Sequence, residues 1–313
     1  MKLRTLSIIL IILGTGIIAS LSWAESYKPF TIKTYNQNVT FKAVPKRVVS
    51  LNAHTSEILL ALGLGHTIVG TAYNNAEVLP QYRKEMDRIP RLAEKYPSME
   101  ILLSADPDFV YGRSSAFKEK AVGTLQTVLE NGIAAYVCKG SYTAGATIED
   151  TYTDIHNLGR IFNIQSRSDQ MVNGMKTKIA GIHEKVKQNR PVRVFVFDFG
   201  GDTAFTACQS LQTNLIELAG GKNIFDDIEK TWAKVSWEQV VERDPEIIVI
   251  NEYGETPTAD KLNELKTKPA LANVSAVKNN RFCVIKLPAV FPGVRNADTV
   301  EEFAKCFYPE LFK

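Results

Sequence analysis

The stretch Ser98–Tyr111, SMEILLSADPDFVY, sets the reading of the chain, because its frame returns at Ser236–Ile250 as SWEQVVERDPEIIVI. In each copy a Ser-x-Glu stands six residues, Glu to Asp, before an Asp-Pro centre that opens an apolar run. The offset is 138 residues in both places. A second echo pairs Ile58–Gly63 (ILLALG) with Leu215–Gly220 (LIELAG) at an offset of 157. Two echoes in the same order, on matching elements, predict two similar lobes. The difference between the offsets gives the first lobe 19 more residues between its ILLALG helix and its Ser-x-Glu. The second lobe is longer just ahead of its helix, over Asp198–Ser210, where Gly200-Gly201-Asp202 reads as a hairpin turn.

Outward from these frames, short β-rich runs alternate with helical ones. Val48–Leu51 reads as a strand and Ser56–Leu62 as a helix ending at Gly63. Phe109–Tyr111 follows as a strand, Ala116–Glu130 as a helix ending at Asn131-Gly132, Ala134–Cys138 as a strand and Ile148–Phe162 as a helix. The same grammar restarts at Arg193–Phe197 and runs through Leu215–Leu218 and Trp237–Val241 to Ile247–Ile250. Alternation of this kind predicts an α/β fold of two Rossmann-like lobes with mainly parallel sheets. Residues 166–190 read as one long helix joining them, with Met171, Met175, Ile179, Ile182 and Val186 at three- and four-residue steps and Pro191 as the stop. At about 1.5 Å per residue it spans roughly 35 Å, a rigid connection that predicts a stiff clamp with its cleft between the lobes. The lobes themselves are residues 25–165 and 191–313.

Ahead of them, Lys2 and Arg4 precede the apolar run LSIILIILGTGIIASL, and Ser22-Trp23-Ala24 offers the small residues of a cleavage site. Residues 1–24 therefore read as a cleaved export signal. No Cys lies near the cut, so the expected product carries no lipid anchor and is released, most simply, into a periplasm. The chain has 37 Lys and Arg against 34 Asp and Glu, and loss of Lys2 and Arg4 leaves 35 cations. A near-neutral protein is not built to bind nucleic acid. The four Cys, at 138, 208, 283 and 306, form no C-x-x-C, which argues against a redox motif or zinc site. Of the three possible pairings, Cys283 with Cys306 is preferred, joining a strand to the C-terminal helix.

The chain has no G-x-S-x-G, H-E-x-x-H or P-loop motif, and Gly63-Leu64-Gly65 follows a helix where a dinucleotide loop precedes one. The reading is a binding protein, not an enzyme, with no intrinsic cofactor. Ligands in open α/β sheets collect beyond the carboxyl ends of strands. There the sequence places His54, Tyr73, Tyr111, Arg113, Lys139, Tyr142 and Tyr253, with Trp232 and Arg295 in apparent loops. Any one of these is more often surface decoration or core, and a lone His more often a satisfied core group. Several on one edge suit an anionic ligand with flat rings. Each Ser-x-Glu is ordinary helix-start chemistry by itself. Its repetition suggests two acidic knobs, Glu100 and Glu238, matched to a two-fold symmetric partner.

The run Lys46–Leu51 through Thr55–Gly63 and Ile68-Val69-Gly70, with the two Asp-Pro segments, resembles the helical-backbone periplasmic binding proteins of ABC importers for ferric siderophores, haem and vitamin B12. The likeness covers nearly the whole mature chain. It implies a monomer that docks on a permease dimer with its ATPase subunits through Glu100 and Glu238, its cargo supplied by an outer-membrane receptor. It also implies Arg113 as a cleft arginine. The cargo expected on this resemblance is an Fe(III)-siderophore complex, with cobalamin or haem as the alternative. A periplasmic enzyme or metal-assembly factor on a related fold stands third. Tyr253 or His54 is the candidate side chain for the metal, Tyr253 because Asn251-Glu252-Tyr253 stands where some members carry an Arg.

Overall fold

A computed structural model describes residues 27–74, 77–254 and 256–313. The export signal expected at 1–24 lies outside the described residues. The described residues open with an antiparallel hairpin, Phe30–Thr34 with Gln37–Phe41, ahead of the first strand read from the sequence.

The first lobe holds a five-stranded parallel sheet in the order Arg91–Ala93, Ile68–Ala72, Val48–Ser50, Phe109–Gly112, Ala134–Val137. The second holds a four-stranded parallel sheet in the order Gly221–Asn223, Val192–Phe197, Ile247–Glu252, Phe282–Lys286. Its central strands VRVFVF and IIVINE are apolar on both faces, as a sheet covered by helices on both sides requires. In each sheet the strand first in sequence lies inside, so the order in which strands are added reverses beside it, and the crevice at such a switch point is where a ligand fits.

Between the lobes runs the helix Gln165–Val186, 22 residues long, or about 33 Å. Val172, Met175, Ile179, Ile182 and Val186 are its buried stripe, packed on the helices Ile148–Ile161 and Asn296–Phe307. It stops four residues short of the expected end, because Lys187–Asn189 close it with a turn in which Asn189 donates to the Val186 carbonyl.

A larger departure concerns Ala116–Glu130. The helix proper is only Leu125–Glu130, capped by the Thr124 hydroxyl accepting from the Thr127 amide. Gly123, at φ 93°, lies in the left-handed region that a continuous helix forbids. Conversely, the hairpin expected at Gly200–Asp202 is present, with Phe199 bridged to Phe205, and it feeds a small antiparallel sheet of Ala204–Ala207 with Trp232–Val235.

The sequence repeat is a structural repeat. The helices Met99–Ser104 and Trp237–Arg243 both start from a capping Ser, Ser98 and Ser236, and both end just before a left-handed Asp, Asp106 at φ 47° and Asp244 at φ 38°. An arginine at the start of each lobe's sheet fixes that end. Arg47 Nε donates to the Asp106 carbonyl and Arg193 Nε to that of Asp244, at 2.5 and 2.9 Å. The backbone amides of Arg47 and Arg193 donate to Asp108 and Glu246.

A buried ion pair crosses between the lobes. Arg295 grips the Glu57 carboxylate through Nε and Nη2, 238 residues away in sequence, and also donates to the Glu77 carbonyl at 2.7 Å. Cys283 and Cys306 are bridged, Cα to Cα 6.0 Å, while Cys138 and Cys208 are free thiols in the core.

Candidate functional site

A cleft of about 500 Å³ opens where the two switch points face each other. From the first lobe come His54, just past the strand Val48–Ser50, and Arg113, just past Phe109–Gly112. From the second come Asp198, just past Val192–Phe197, and Tyr253, just past Ile247–Glu252. Thus each pair of adjacent inner strands delivers two polar side chains to one mouth.

Arg113 is held before any ligand arrives. Its guanidinium lies 5.3 Å from the Tyr73 ring centre and 4.9 Å from that of Phe291, and its Nε donates to the Tyr96 hydroxyl at 3.0 Å. Tyr96 also stacks on Tyr73, centroids 4.8 Å apart, and accepts from Asn52. The terminal nitrogens of Arg113 donate to none of the described residues, which leaves a cation with four free N–H donors on two nitrogens between aromatic faces. The opposite wall is a second stack, Trp232 on Phe205 at 5.8 Å.

The floor is a polar network. Tyr253 donates to Asp198 at 2.7 Å, Asn251 donates to the other Asp198 oxygen, and Gln212 ties to Asn251. Behind it the Lys261 ammonium donates to the carbonyls of Asp198 and Asn251 and lies 4.4 Å from the Tyr253 ring centre. Burial raises the Asp198 carboxyl above its usual range. Burial, then the bond to Asp198, also pushes the Tyr253 phenol upward, so the phenol keeps its proton. His54 is 3% exposed, and burial, aided by Arg113 and Arg295, drops its pKa to about 3. It is a neutral imidazole whose Nε2 has no partner among the described residues.

Of the cleft residues expected from sequence, His54, Tyr73, Arg113, Trp232 and Tyr253 line this space, and four do not. Tyr111 is inside the strand, fully buried and stacked on its register partner Tyr136. Lys139 is spent on Asp150, 2.9 Å away, whose bond raises its pKa. Tyr142 turns to the N-terminal hairpin, accepting from the Tyr35 amide. Arg295 belongs to Glu57. Trp232 sits on a strand, not in a loop. Asp198, Gln212, Phe205 and Tyr96 were missed, although Asp198 follows its strand as His54 follows its own. Glu100 and Glu238 are both exposed on the repeated helices and are not among the residues that line the cleft.

The sequence model for periplasmic binding proteins matches residues 48–289, which includes both sheets. The chain belongs to the periplasmic binding protein family. This periplasmic binding protein is similar to the ABC transporter substrate-binding lipoprotein YvrC of Bacillus subtilis (strain 168), 26% identical over 283 residues, covering 89% of this chain and 85% of that protein. It is also similar to the vitamin B12-binding protein of Pectobacterium carotovorum (strain PC1), 28% identical over 236 residues, covering 74% and 79%. Among solved structures, a periplasmic binding protein from Veillonella parvula superposes with a TM-score of 0.84 at 29% identity, over 90% of this chain and 98% of that one. Among the described residues, no helix of the periplasmic binding protein is long and apolar enough to cross a membrane.

Proposed function

We propose that this chain is the solute-binding component of an ABC importer and that its cargo is a metal chelate of little net charge, a corrinoid in the first place. The observation that carries the cargo reading is the charge on the cleft wall. Among the described lining residues only Arg113 and Asp198 are charged, one of each sign, with the Lys261 ammonium turned to backbone carbonyls behind the floor. The sequence placed Lys139 and Arg295 there as well, and with them an anionic ferric siderophore was the better match. Removing both leaves one guanidinium to meet the two propionates of a haem or the three charges of a ferric triscatecholate, and an unmatched buried charge is costly. A flat, nearly uncharged macrocycle between the Tyr73–Tyr96 and Phe205–Trp232 stacks has no such mismatch. Vitamin B12-binding proteins among the relatives support the same choice. An uncharged ferric siderophore is the second reading, favoured by the free terminal nitrogens of Arg113.

Trp232 on the wall is the reporter. Its fluorescence, followed while cyanocobalamin, an uncharged ferric trihydroxamate, a ferric triscatecholate and haemin are titrated, should be quenched at the lowest concentration by the corrinoid. The triscatecholate and haemin should bind at least about tenfold more weakly, the equivalent of one mismatched charge at roughly 1.4 kcal/mol. Tightest binding of either anion sinks the charge argument. For delivery, Glu100 and Glu238 are the docking carboxylates in this reading. Replacing both by Ala should abolish uptake and leave cargo affinity unchanged, and normal uptake by that variant refutes the role.

A further inference from the structure

On each repeated helix the exposed carboxylate has an apolar companion that the fold leaves in water. Leu103 lies three residues after Glu100, and Val241 three after Glu238, so each pair shares one helix face. The two companions occupy equivalent places at the same 138-residue offset. Leu103 is 42% exposed and Val241 37%. Together with Ile101, they make three of the six large apolar side chains exposed among the described residues, although the two helices hold only 6 and 7 residues. Scattered exposed apolar residues need no explanation, whereas a repeated pair on matched helices does.

The mounting of these helices is equally repeated. Each is capped by Ser at its start and pinned by an arginine, Arg47 or Arg193, at its left-handed Asp end. Each also leads into an inner parallel strand, and so runs back along the sheet with its N-terminal turn at the carboxyl edge that bears the cleft. The two faces are therefore fixed in direction, one per lobe, beside the mouth.

We infer that Glu100 with Leu103 and Glu238 with Val241 are two equivalent mixed anchors, each entering a pocket that offers a cation and an apolar wall on a two-fold symmetric partner, the permease dimer. The inference rests on the importer reading above. Carboxylates on exposed helices supply steering and register through an attraction that salt weakens, while an apolar side chain removed from water supplies affinity that salt does not screen. The pairing gives the surface both, and the repeat restricts it to a partner that presents the same pocket twice.

The test uses the whole mature protein and its permease complex reconstituted in nanodiscs, with binding measured by biolayer interferometry across a salt series. L103A/V241A should weaken the complex by about a hundredfold, roughly tenfold for each side chain taken out of an apolar pocket, with an unchanged salt slope. E100Q/E238Q should flatten the salt slope. L103M/V241I should bind like the wild type. Cargo affinity and Tm, measured on the same preparations, should match the wild type throughout. An L103A/V241A complex within about twofold of wild type, or a loss of binding that tracks a fall in Tm, overturns the inference. The two readings fail separately. A wild-type protein that binds the permease but none of the four chelates defeats the cargo assignment alone, and one that binds a chelate but not the permease defeats the anchors.

Discussion

Arg295 gives the sharpest test, because sequence and structure assign it different work. The sequence puts it on the ligand, and the structure buries it against Glu57, with side-chain exposures of 10% and 1%. Arg295→Met keeps the volume and removes the charge, leaving the Glu57 carboxylate buried with only the Leu79 amide as a donor. Removing one partner of such a buried pair costs about 3–5 kcal/mol, since the remaining charge is stranded. For a chain of this size that is roughly a 5–8 °C fall in Tm, read by circular dichroism on thermal and urea unfolding. Glu57→Gln combined with Arg295→Met removes both charges and should recover most of the loss, because a neutral buried pair has no stranded ion. Cargo affinity of Arg295→Met, measured well below its Tm, should be within a few-fold of wild type. A variant that keeps its Tm and loses its ligand would show that Arg295 serves the cleft after all, and failure of the double variant to recover would refute the stranded-charge account.

Arg113→Ala should lower cargo affinity more than about tenfold with little change in Tm, and Arg113→Lys should not restore it, because a compact ammonium cannot lie flat between Tyr73 and Phe291. His54 binds a proton at about pH 3 when folded and near its ordinary 6.5 when unfolded, so between those values only the unfolded chain gains it. Stability should therefore fall as pH drops from 6.5, by up to about 1.4 kcal/mol per unit from this group, and urea titrations of His54→Gln should show a shallower slope. Cys283→Ser with Cys306→Ser should lower unfolding free energy by about 3 kcal/mol, the loop-closure value for 23 residues of separation, and a dithiothreitol-treated wild type should match it.

The fold was legible because its punctuation is chemical. Ser caps, a Gly or Asp in the left-handed region and a following Pro recur at fixed spacing, and these mark helix ends whatever the packing. The long helix was legible from its stripe. The cleft was most legible where a side chain stands past its strand's last hydrogen-bonded residue, as His54, Arg113 and Tyr253 do. Tyr111, two residues earlier than Arg113, is still inside the sheet, and alternation turns it to the core. Lys139 and Arg295 failed for another reason. Their partners, Asp150 and Glu57, are set by how elements pack, and a charge paired at a distance of 238 residues leaves no local trace. Phe205 reaches the cleft through a two-stranded sheet too short to register in sequence, and Trp232, expected there from a loop, stands on the partner strand of that sheet.

The long helix and the buried Glu57–Arg295 clasp together bear on timing. A receptacle whose halves are splinted does not gape when vacant, so its contents escape only through small fluctuations and dwell long in solution. On the docking proposed above, unloading becomes labour for the membrane machine, which would lever on the two bolted helices to spread what heat alone leaves shut.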